Sequence, residues 1–309
     1  MDGSLFLIQS LNGLQLGVLL FLLASGLTLT FGIMDLVNLA HGSLYMIGAF
    51  LAAWLTIALD SFVTGVVLAL PLTALVAWLL EISIVRRLYP RDHLDHILAT
   101  FGLILCLDTL VHLAFGPEGY SVPLPGYLDG QVPLFGDALF PTYRLVIIAA
   151  GLLIAMGLYW VVRYTRMGML IRAGAANRTM AAALGVNIEG LFTGVFVLGS
   201  VLAGLAGMLI APIGGVSIGM GNDMIITAFV VVIVGGVGSM KGAFAVAILI
   251  GLIDTLGRSF LDDLLKLVME TSTAETVAPA VSSMLIYILM AVILSLRPQG
   301  LFPPVARSG

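Results

Sequence analysis

Charged residues are scarce in this sequence: Asp, Glu, Lys and Arg make up 10% of its 309 residues, against about 25% in soluble domains. Hydrophobic residues make up 60%, and the mean hydropathy is +1.14. Apolar runs recur along the chain at about 20 residues, the length that a helix needs to cross a bilayer. This composition excludes a soluble globular protein and predicts a membrane protein with many spans.

Cysteine is also scarce. The single residue, Cys106, lies within an apolar segment, which excludes an internal disulfide and argues against redox chemistry. The first residues, MDGSLFL, lack the basic stretch that opens a signal peptide, and the first apolar segment is long enough to span. We therefore expect no cleaved leader. Since no soluble domain interrupts the apolar segments, we expect one transmembrane domain over residues 1–309.

The apolar segments predict an all-α membrane protein, a polytopic bundle of about eight or nine transmembrane helices. The candidate spans are 5–31, 38–59, 62–85, 97–115, 143–162, 191–211, 223–238, 242–257 and 279–296. Segment 223–257 has a second interpretation, a re-entrant hairpin, which would change the number of crossings.

Basic residues are unevenly distributed among the connections, and this predicts the orientation. Arginines concentrate in 86–96, in 163–190 and at the C-terminus: Arg86, Arg87, Arg91, Arg163, Arg166, Arg172, Arg178, Arg297 and Arg307. Acidic residues dominate the loops 116–142 and 258–278: Glu118, Asp129, Asp137, Asp262, Asp263, Glu270 and Glu275. Because cytoplasmic loops carry the excess of Lys and Arg, the three basic regions are predicted to be cytoplasmic and the two acidic loops external. An external N-terminus and nine crossings follow.

A nucleotide-binding motif is missing. The run GGVGSMKG at 235–242 contains Lys241 but not the G-x-x-x-x-G-K-[ST] order of a phosphate-binding loop, so it predicts a tight turn between apolar segments. The run RDHLDH at 91–96 is more typical of a solvated turn than of a metal site. Ser43 and His41 lie two residues apart, so they do not face each other on a helix as intramembrane proteolysis would require. We expect no enzymatic activity.

Polar residues concentrate in one apolar segment, FGIMDLVNLAHGSLYMIGAF at 31–50. The polar residues are Asp35, Asn38, His41, Ser43 and Tyr45, and Gly32 and Gly42 lie beside them. Polar groups at membrane depth usually face a cavity or a partner helix, and broken helices often line transport sites. Asn38, His41, Ser43 and Tyr45 are therefore candidates for a substrate pathway. The alternative is that Asn38 and His41 bond to neighbouring backbone in a kinked, buried helix.

Two further patterns concern helix faces. Asp108 and His112 lie four residues apart, which predicts a mutually satisfied pair, or alternatively a proton relay. Small residues recur at the same spacing at Ser200 and Gly204, and at Ala203 and Gly207. Such spacing predicts closely packed helices.

The segment Arg163–Glu189 is basic and rich in alanine, unlike the apolar sequence around it. Asn177 is placed to cap a helix, and Gly185 to end it in the left-handed conformation. The helix between them, about 10 Å long, is far too short to cross a bilayer. Ala173, Ala176, Met180, Ala183 and Leu184 form its predicted apolar stripe. The segment is either a docking element for another protein or a helix that lies on the membrane surface.

Four runs together resemble the permease subunits of branched-chain amino acid ABC importers, and more closely the shorter of the two permeases of that system. They are GLTLTFGIMDLVNLAHGSLYMIGAF (26–50), YTRMGMLIRAGAANRTMAAALGVNIEGLF (164–192), LGSVLAGLAGMLIAPI (198–213) and VVVIVGGVGSMKGAFAVAILIG (230–251). The terminal RPQGLF at 297–302 also fits. Lys241 and Asp35 depart from the usual pattern, and relatives that carry urea, short amides or aromatic acids leave the substrate open.

The resemblance implies an importer in the inner membrane that is assembled from several separate subunits. A second permease completes the pathway, and the resemblance favours a paralogue over a second copy of this chain. Two cytoplasmic ATPase subunits use the ATP, and an extracytoplasmic protein delivers the substrate. The chain itself is expected to bind no cofactor and no nucleic acid. The coupling region is then 163–190, with Asn177, Arg178, Ala181, Ala182 and Gly185 at the ATPase, and with Arg172 and Arg178 facing its acidic groups. The alternative of another class is a self-sufficient proton-coupled transporter or channel that uses Asp108, His112 and His41.

Overall fold

The computed structural model describes residues 3–134, 139–267 and 270–302, so Asp137 and Arg307 of the charge map lie outside the described residues. The helices are α1 (Gly3–Leu29), α2 (His41–Leu59), α3 (Phe62–Ser83), α4 (His93–Phe115), α5 (Thr142–Tyr164), α6 (Arg166–Ala176), α7 (Arg178–Ala183), α8 (Ile188–Gly214), α9 (Met220–Gly235), α10 (Met240–Leu265) and α11 (Thr271–Leu296). A π-helical turn (Thr30–Met34) follows α1, and a 3-10 turn (Val85–Leu88) follows α3. Two short antiparallel strands, β1 (Gln131–Pro133) and β2 (Leu139–Pro141), pair in the loop before α5.

The predicted polytopic helical membrane protein is confirmed. Eight helices in the described ranges are long and apolar enough to cross a membrane. The remaining apolar helix, α9, has 16 residues. At the α-helical rise it is about 24 Å long, somewhat shorter than the hydrocarbon core.

The contacts at its two ends show that α9 nevertheless joins opposite ends of the bundle. Shortly before α9, Val216 forms a β-bridge with Tyr120, in the loop that follows α4. At the other end, Leu301 donates its backbone N–H to the carbonyl of Val234 over 2.8 Å. These contacts favour a passage by α9 over a re-entrant hairpin, so α9 remains the candidate for a ninth crossing beside the eight longer helices.

One end of the bundle, which we call the arginine-rich end, gathers distant parts of the chain. It includes the ends of α3 and α9, the start of α8, the turn after α1 and residues 297–302. Arg86 at this end approaches Glu189 over 3.8 Å, and the Cα of Gly238 lies beside Gly32. The turn predicted at 235–242 is confirmed, because Gly236 and Gly238 adopt positive φ angles of 99° and 82° between α9 and α10.

Glycines bring helix backbones into direct contact at the centre of the bundle. A Cβ atom on Gly13 would lie 2.9 Å from the carbonyl oxygen of Gly251, and one on Gly199 would lie 3.0 Å from the Cα of Gly26. Gly48 and Gly204 face each other in the same way. These contacts confirm the close packing that the small residues of 191–211 predict, and they hold α1, α2, α8 and α10 together.

The segment between α1 and α2 is broken, as its polar residues and glycines predict. The π-helical turn ends at Asp35, whose φ of 54° is left-handed. Residues 35–40 form no regular helix, and α2 begins at His41. Since the imidazole of His41 lies against the carbonyl of Leu23, α2 starts beside α1 six residues before the end of that helix.

The backbone contact at Gly26 gives a direct test of the core. We expect Gly26→Val to lower the free energy of unfolding by at least about 1–3 kcal/mol, because overpacking a filled interface forces the backbones apart. The added side chain would collide with the backbone of Gly199. Gly102→Val is the matched control, since a Cβ atom on Gly102 would meet nothing within 4 Å. Thermal unfolding of the purified protein in detergent measures both, and equal midpoints would contradict the packing.

Candidate functional site

All four pathway candidates are buried: Asn38 lies in the broken segment, and His41, Ser43 and Tyr45 lie at the start of α2. His41 places its Nε2 atom 3.2 Å from the carbonyl oxygen of Leu23. Within the described residues, the side-chain amide of Asn38, the hydroxyl of Ser43 and the Nδ1 atom of His41 make no hydrogen bond. The alternative of bonding to neighbouring backbone therefore fits one ring nitrogen of His41 but not Asn38.

Of two neighbouring cavities, the smaller is lined by Tyr45, and the larger is lined by none of these four residues. The smaller, of about 20 Å³, is apolar except for Tyr45. Leu16, Leu20 and Met224 line both this cavity and a partly open cleft of about 390 Å³. Leu23 also lines the smaller cavity, and its carbonyl contacts His41. The structure thus brings Tyr45 to a cavity and His41 next to its wall, whereas Asn38 and Ser43 line neither space.

The predicted pair of Asp108 and His112 is wrong. Asp108 accepts a hydrogen bond over 3.4 Å from the amide of Asn222 on α9 instead, and His112 is exposed. His41 bonds elsewhere, to Leu23. The groups that a proton relay would need are therefore not brought together in the described parts of the chain.

The coupling region folds as two short helices, α6 and α7. Thr165 caps α6 by accepting the N–H of Gly168 over 3.2 Å. Asn177 caps α7 by accepting the N–H of Met180 over 2.9 Å, and Gly185 follows α7 with a φ of 88°. The predicted start and end of the short helix are confirmed, because both signals depend only on local backbone.

The five residues of the predicted apolar stripe are all exposed: Ala173, Ala176, Met180, Ala183 and Leu184. Met180 is 59% and Leu184 is 78% exposed, whereas Ala181 is 4% exposed and faces its own chain. Exposed residues at the turn around α7 form a surface that we call the coupling face: Asn177, Met180, Ala182, Leu184 and Gly185. Met180 and Leu184 are its large apolar members, and both belong to the predicted stripe, whereas Ala181, predicted to lie at the ATPase, is not part of this face.

The two predicted docking arginines make contacts within the chain. Arg172 donates to the carbonyl oxygens of Val162 and Arg163, so a cation neutralises the partial charge at the C-terminus of α5. Arg178 lies over the ring of Phe192, 5.4 Å from its centroid. Both side chains thereby fasten α6 and α7 to the neighbouring helices.

A buried carboxylate connects the same region to α3. Glu81 is fully buried and accepts two hydrogen bonds from Arg86, over 3.2 and 3.0 Å. It also accepts the hydroxyl of Tyr89 over 2.7 Å and that of Thr193 over 3.0 Å. Because Thr193 belongs to α8, which directly follows the coupling region, the carboxylate ties the end of α3 to the start of α8.

The hydrogen bond to Glu81 raises the pKa of Arg86 above its ordinary value. Burial, together with the bond to the same carboxylate, raises the pKa of Tyr89, so its hydroxyl remains a neutral donor. Arg86 also donates to Thr193 over 2.9 Å. We call Glu81, Arg86, Tyr89 and Thr193 the carboxylate cluster, and the sequence analysis had not identified it.

Residues 9–294 match the sequence model of a family described as the permease component of the branched-chain amino acid transport system. The chain belongs to this permease family. It is 30% identical over 272 residues to the high-affinity branched-chain amino acid transport system permease protein LivH of Escherichia coli K12, which covers 83% of this chain and 87% of LivH. Identity to BraD of Pseudomonas aeruginosa is also 30%, over 274 residues, 84% of this chain and 89% of BraD.

Two further comparisons are more distant. The permease LivM of Escherichia coli K12 is 26% identical over 314 residues, 93% of this chain and 68% of LivM. A solved structure, an inward-facing conformation of a putative metal-chelate type ABC transporter, has a TM-score of 0.49 at 20% identity and covers 94% of this permease and 85% of that chain. The higher identity to LivH and BraD agrees with the resemblance to the shorter permease.

The carboxylate cluster predicts an asymmetry between its charged members. Arg86→Met leaves the Glu81 carboxylate buried with two hydroxyl donors, whereas Glu81→Gln leaves an arginine that is 35% exposed and can turn to water. We therefore expect Arg86→Met to lower the thermal midpoint more than Glu81→Gln does, since an unpaired buried charge is the costly product.

The double variant is the control for this experiment. Adding Glu81→Gln to Arg86→Met removes the stranded charge, so it is expected to recover part of the lost stability. Thermal unfolding in detergent measures all three proteins. A double variant less stable than either single one would contradict the account.

Proposed function

We propose that this permease is a membrane subunit of an ATP-driven importer of branched-chain amino acids or related small amino acids and amides. The coupling face carries the proposal: it exposes Met180 and Leu184 at the arginine-rich end, on short capped helices that cannot span. Membership of the permease family agrees with this role. The chain itself acts in transport rather than catalysis, and partner subunits hydrolyse the ATP.

The proposed partners are two cytoplasmic ATPase subunits, an extracytoplasmic substrate-binding protein and a second permease. The partial identity to LivM as well as to LivH supports a paralogue as the second permease. Under the positive-inside rule, the arginine-rich end lies in the cytoplasm together with the C-terminus. The loop that holds Tyr120 and the cleft then face outward from an inner membrane.

In the proposed mechanism, closure of the ATPase subunits pushes on the coupling face. Arg172 fastens α6 to the end of α5, and the carboxylate cluster fastens the start of α8 to α3. Since α8 contacts α1 and α2 through glycine backbones, the displacement reaches the core without a flexible joint. The bundle tilts as one body, and tilting changes access to the pathway from one side to the other.

The pathway is proposed to pass the broken segment. Tyr45 lies at the small cavity and His41 beside Leu23, and Asn38 and Ser43 are buried in the same stretch of the chain. Buried polar groups without protein partners are costly. Transient bonds to a passing substrate or its water would satisfy them.

Reconstitution tests the function directly. Proteoliposomes that contain this permease, its paralogue, the ATPase and the binding protein are expected to accumulate leucine with ATP. The permease alone under a proton gradient is expected to transport nothing. Gradient-driven flux through the permease alone would contradict the proposal in favour of a self-sufficient transporter.

The coupling face can be tested at its most exposed apolar residue. Leu184→Asp is expected to abolish co-purification with the ATPase, because burying an unpaired carboxylate at an interface costs several kcal/mol, on the order of 2–5. Leu267→Asp is the matched control, because Leu267 lies beyond α10 and its exposure of 81% is close to the 78% of Leu184. If both variants, or neither, fail to co-purify with the ATPase, the assignment of the coupling face is contradicted.

The pathway assignment is tested at Asn38. We expect Asn38→Leu to lower ATP-driven leucine uptake at least about tenfold, equivalent to about 1.4 kcal/mol in the barrier, while the assembled complex still hydrolyses ATP. Thr28→Val is the control, because Thr28 is also buried but bonds to its own helix at Ala24. Unchanged uptake by Asn38→Leu would remove this residue from the pathway.

A further inference from the structure

The cleft next to the small cavity combines apolar walls with charges of both signs. It lies between α1, α9, α10 and α11, and its volume of about 390 Å³ falls in the range of roughly 300–1,000 Å³ that is typical of small-molecule sites. Leu16 and Leu20 of α1 form an apolar wall, and Asp223, Asp254 and Arg258 supply the charges.

Arg258 is held in place but retains free donors. Its Nε and Nη2 atoms bond to the carboxylate of Asp254 over 2.9–3.0 Å. The backbone carbonyl of Asp254 in turn accepts the hydroxyl of Ser282 over 3.2 Å. The Arg258 side chain remains 53% exposed, against 13% for Asp254. Since a guanidinium has five N–H donors in a fixed fork, Arg258 can bind a second carboxylate while Asp254 positions it.

Asp223 supplies a charge that the cleft does not neutralise. It lies in the first turn of α9, but its side chain does not cap that helix, since the capping position is Gly219 and no side-chain bond is made there. Within the described residues no cation pairs with it. With Asp254 and Arg258 compensating each other, the cleft carries one net negative charge. Asp223 is exposed in the N-terminal turn of α9, where the helix dipole favours a carboxylate, so it is accessible to a cationic ligand at the cleft wall.

We propose that this cleft is a binding site for the zwitterion of an aliphatic α-amino acid. The ammonium group binds Asp223, the carboxylate binds the free donors of Arg258, and the side chain packs on Leu16, Leu20 and Met224. The same three apolar residues line both the cleft and the cavity at Tyr45, so a bound amino acid stands next to the proposed pathway. The inference rests on the proposed function and adds to it a recognition site in the permease itself, separate from the binding protein.

Protection of an introduced thiol tests the site in the complete reconstituted importer. Cys106 is replaced by Ala, and Thr227→Cys places a thiol on the cleft wall next to Asp223. The rate of labelling from outside is measured with a cationic and an anionic methanethiosulfonate of similar size. Ile226→Cys, also on the wall, replaces Thr227→Cys if the latter does not transport. Ser121→Cys, exposed in the loop after α4, is the control.

We expect the cationic reagent to label position 227 at least tenfold faster than the anionic one, and saturating leucine to slow the labelling at least fivefold. Leucinamide, which lacks the carboxylate, and 4-methylpentanoate, which lacks the ammonium, should protect much less. Adding Asp223→Asn should abolish both the charge preference and the protection by leucine. Position 121 should show neither effect.

The outcomes separate the two proposals. If the unaltered complex shows no ATP-driven leucine uptake, the proposed function fails. The cleft proposal alone is overturned if the complex transports leucine but leucine does not protect the thiol at position 227, or at 226 where that replaces it. It is also overturned if leucine protects the thiol as well in the Asp223→Asn variant as in the protein with Asp223. Equal protection by 4-methylpentanoate would likewise overturn recognition of the zwitterion.

Discussion

The structure depends on direct contact between helix backbones at glycines. Gly26 meets Gly199, Gly48 meets Gly204, and Gly13 meets the backbone of Gly251. In a bilayer the hydrophobic effect does not favour helix association, because lipid tails are as apolar as leucine. Close approach supplies dispersion contacts instead, and only residues without a side chain permit it. The central helix α1 is consequently surrounded by protein along most of its length.

This contact also sets where motion can occur. A core joined by backbone has few ways to deform, so displacement at one end is transmitted rather than absorbed. At the arginine-rich end the carboxylate of Glu81 joins α3 to α8 through Thr193, and Arg172 joins α6 to α5. The short coupling helices are thus extensions of the core, although they lie outside the membrane spans. The broken segment before His41 and the short helix α9 are the places where the regular packing is interrupted.

The sequence predicted what depends on local chemistry. Hydropathy located the spans, and the capping residues Asn177 and Gly185 marked the short helix, because each signal acts within a few residues. The burial of Ala181 was not predictable, since it depends on how α7 packs against the rest of the chain. Glu81 and Thr193 lie 112 residues apart, and no local pattern connects them. The pair of Asp108 and His112 was expected from spacing, but Asn222 from another helix bonds the carboxylate instead.

The central claim is that the coupling helices move with the core as one body. It is tested most directly by the distance between spin labels at position 182 on α7 and position 79 on α3, in a protein in which Cys106 is replaced. The distance is measured in the reconstituted importer, once without nucleotide and once with trapped ATP. Both positions are exposed. The account predicts one narrow distance distribution that is the same in both states. The same labelled samples must also show ATP-driven transport of leucine. A distribution that shifts or splits on trapping would mean that α7 moves against α3, and would contradict it.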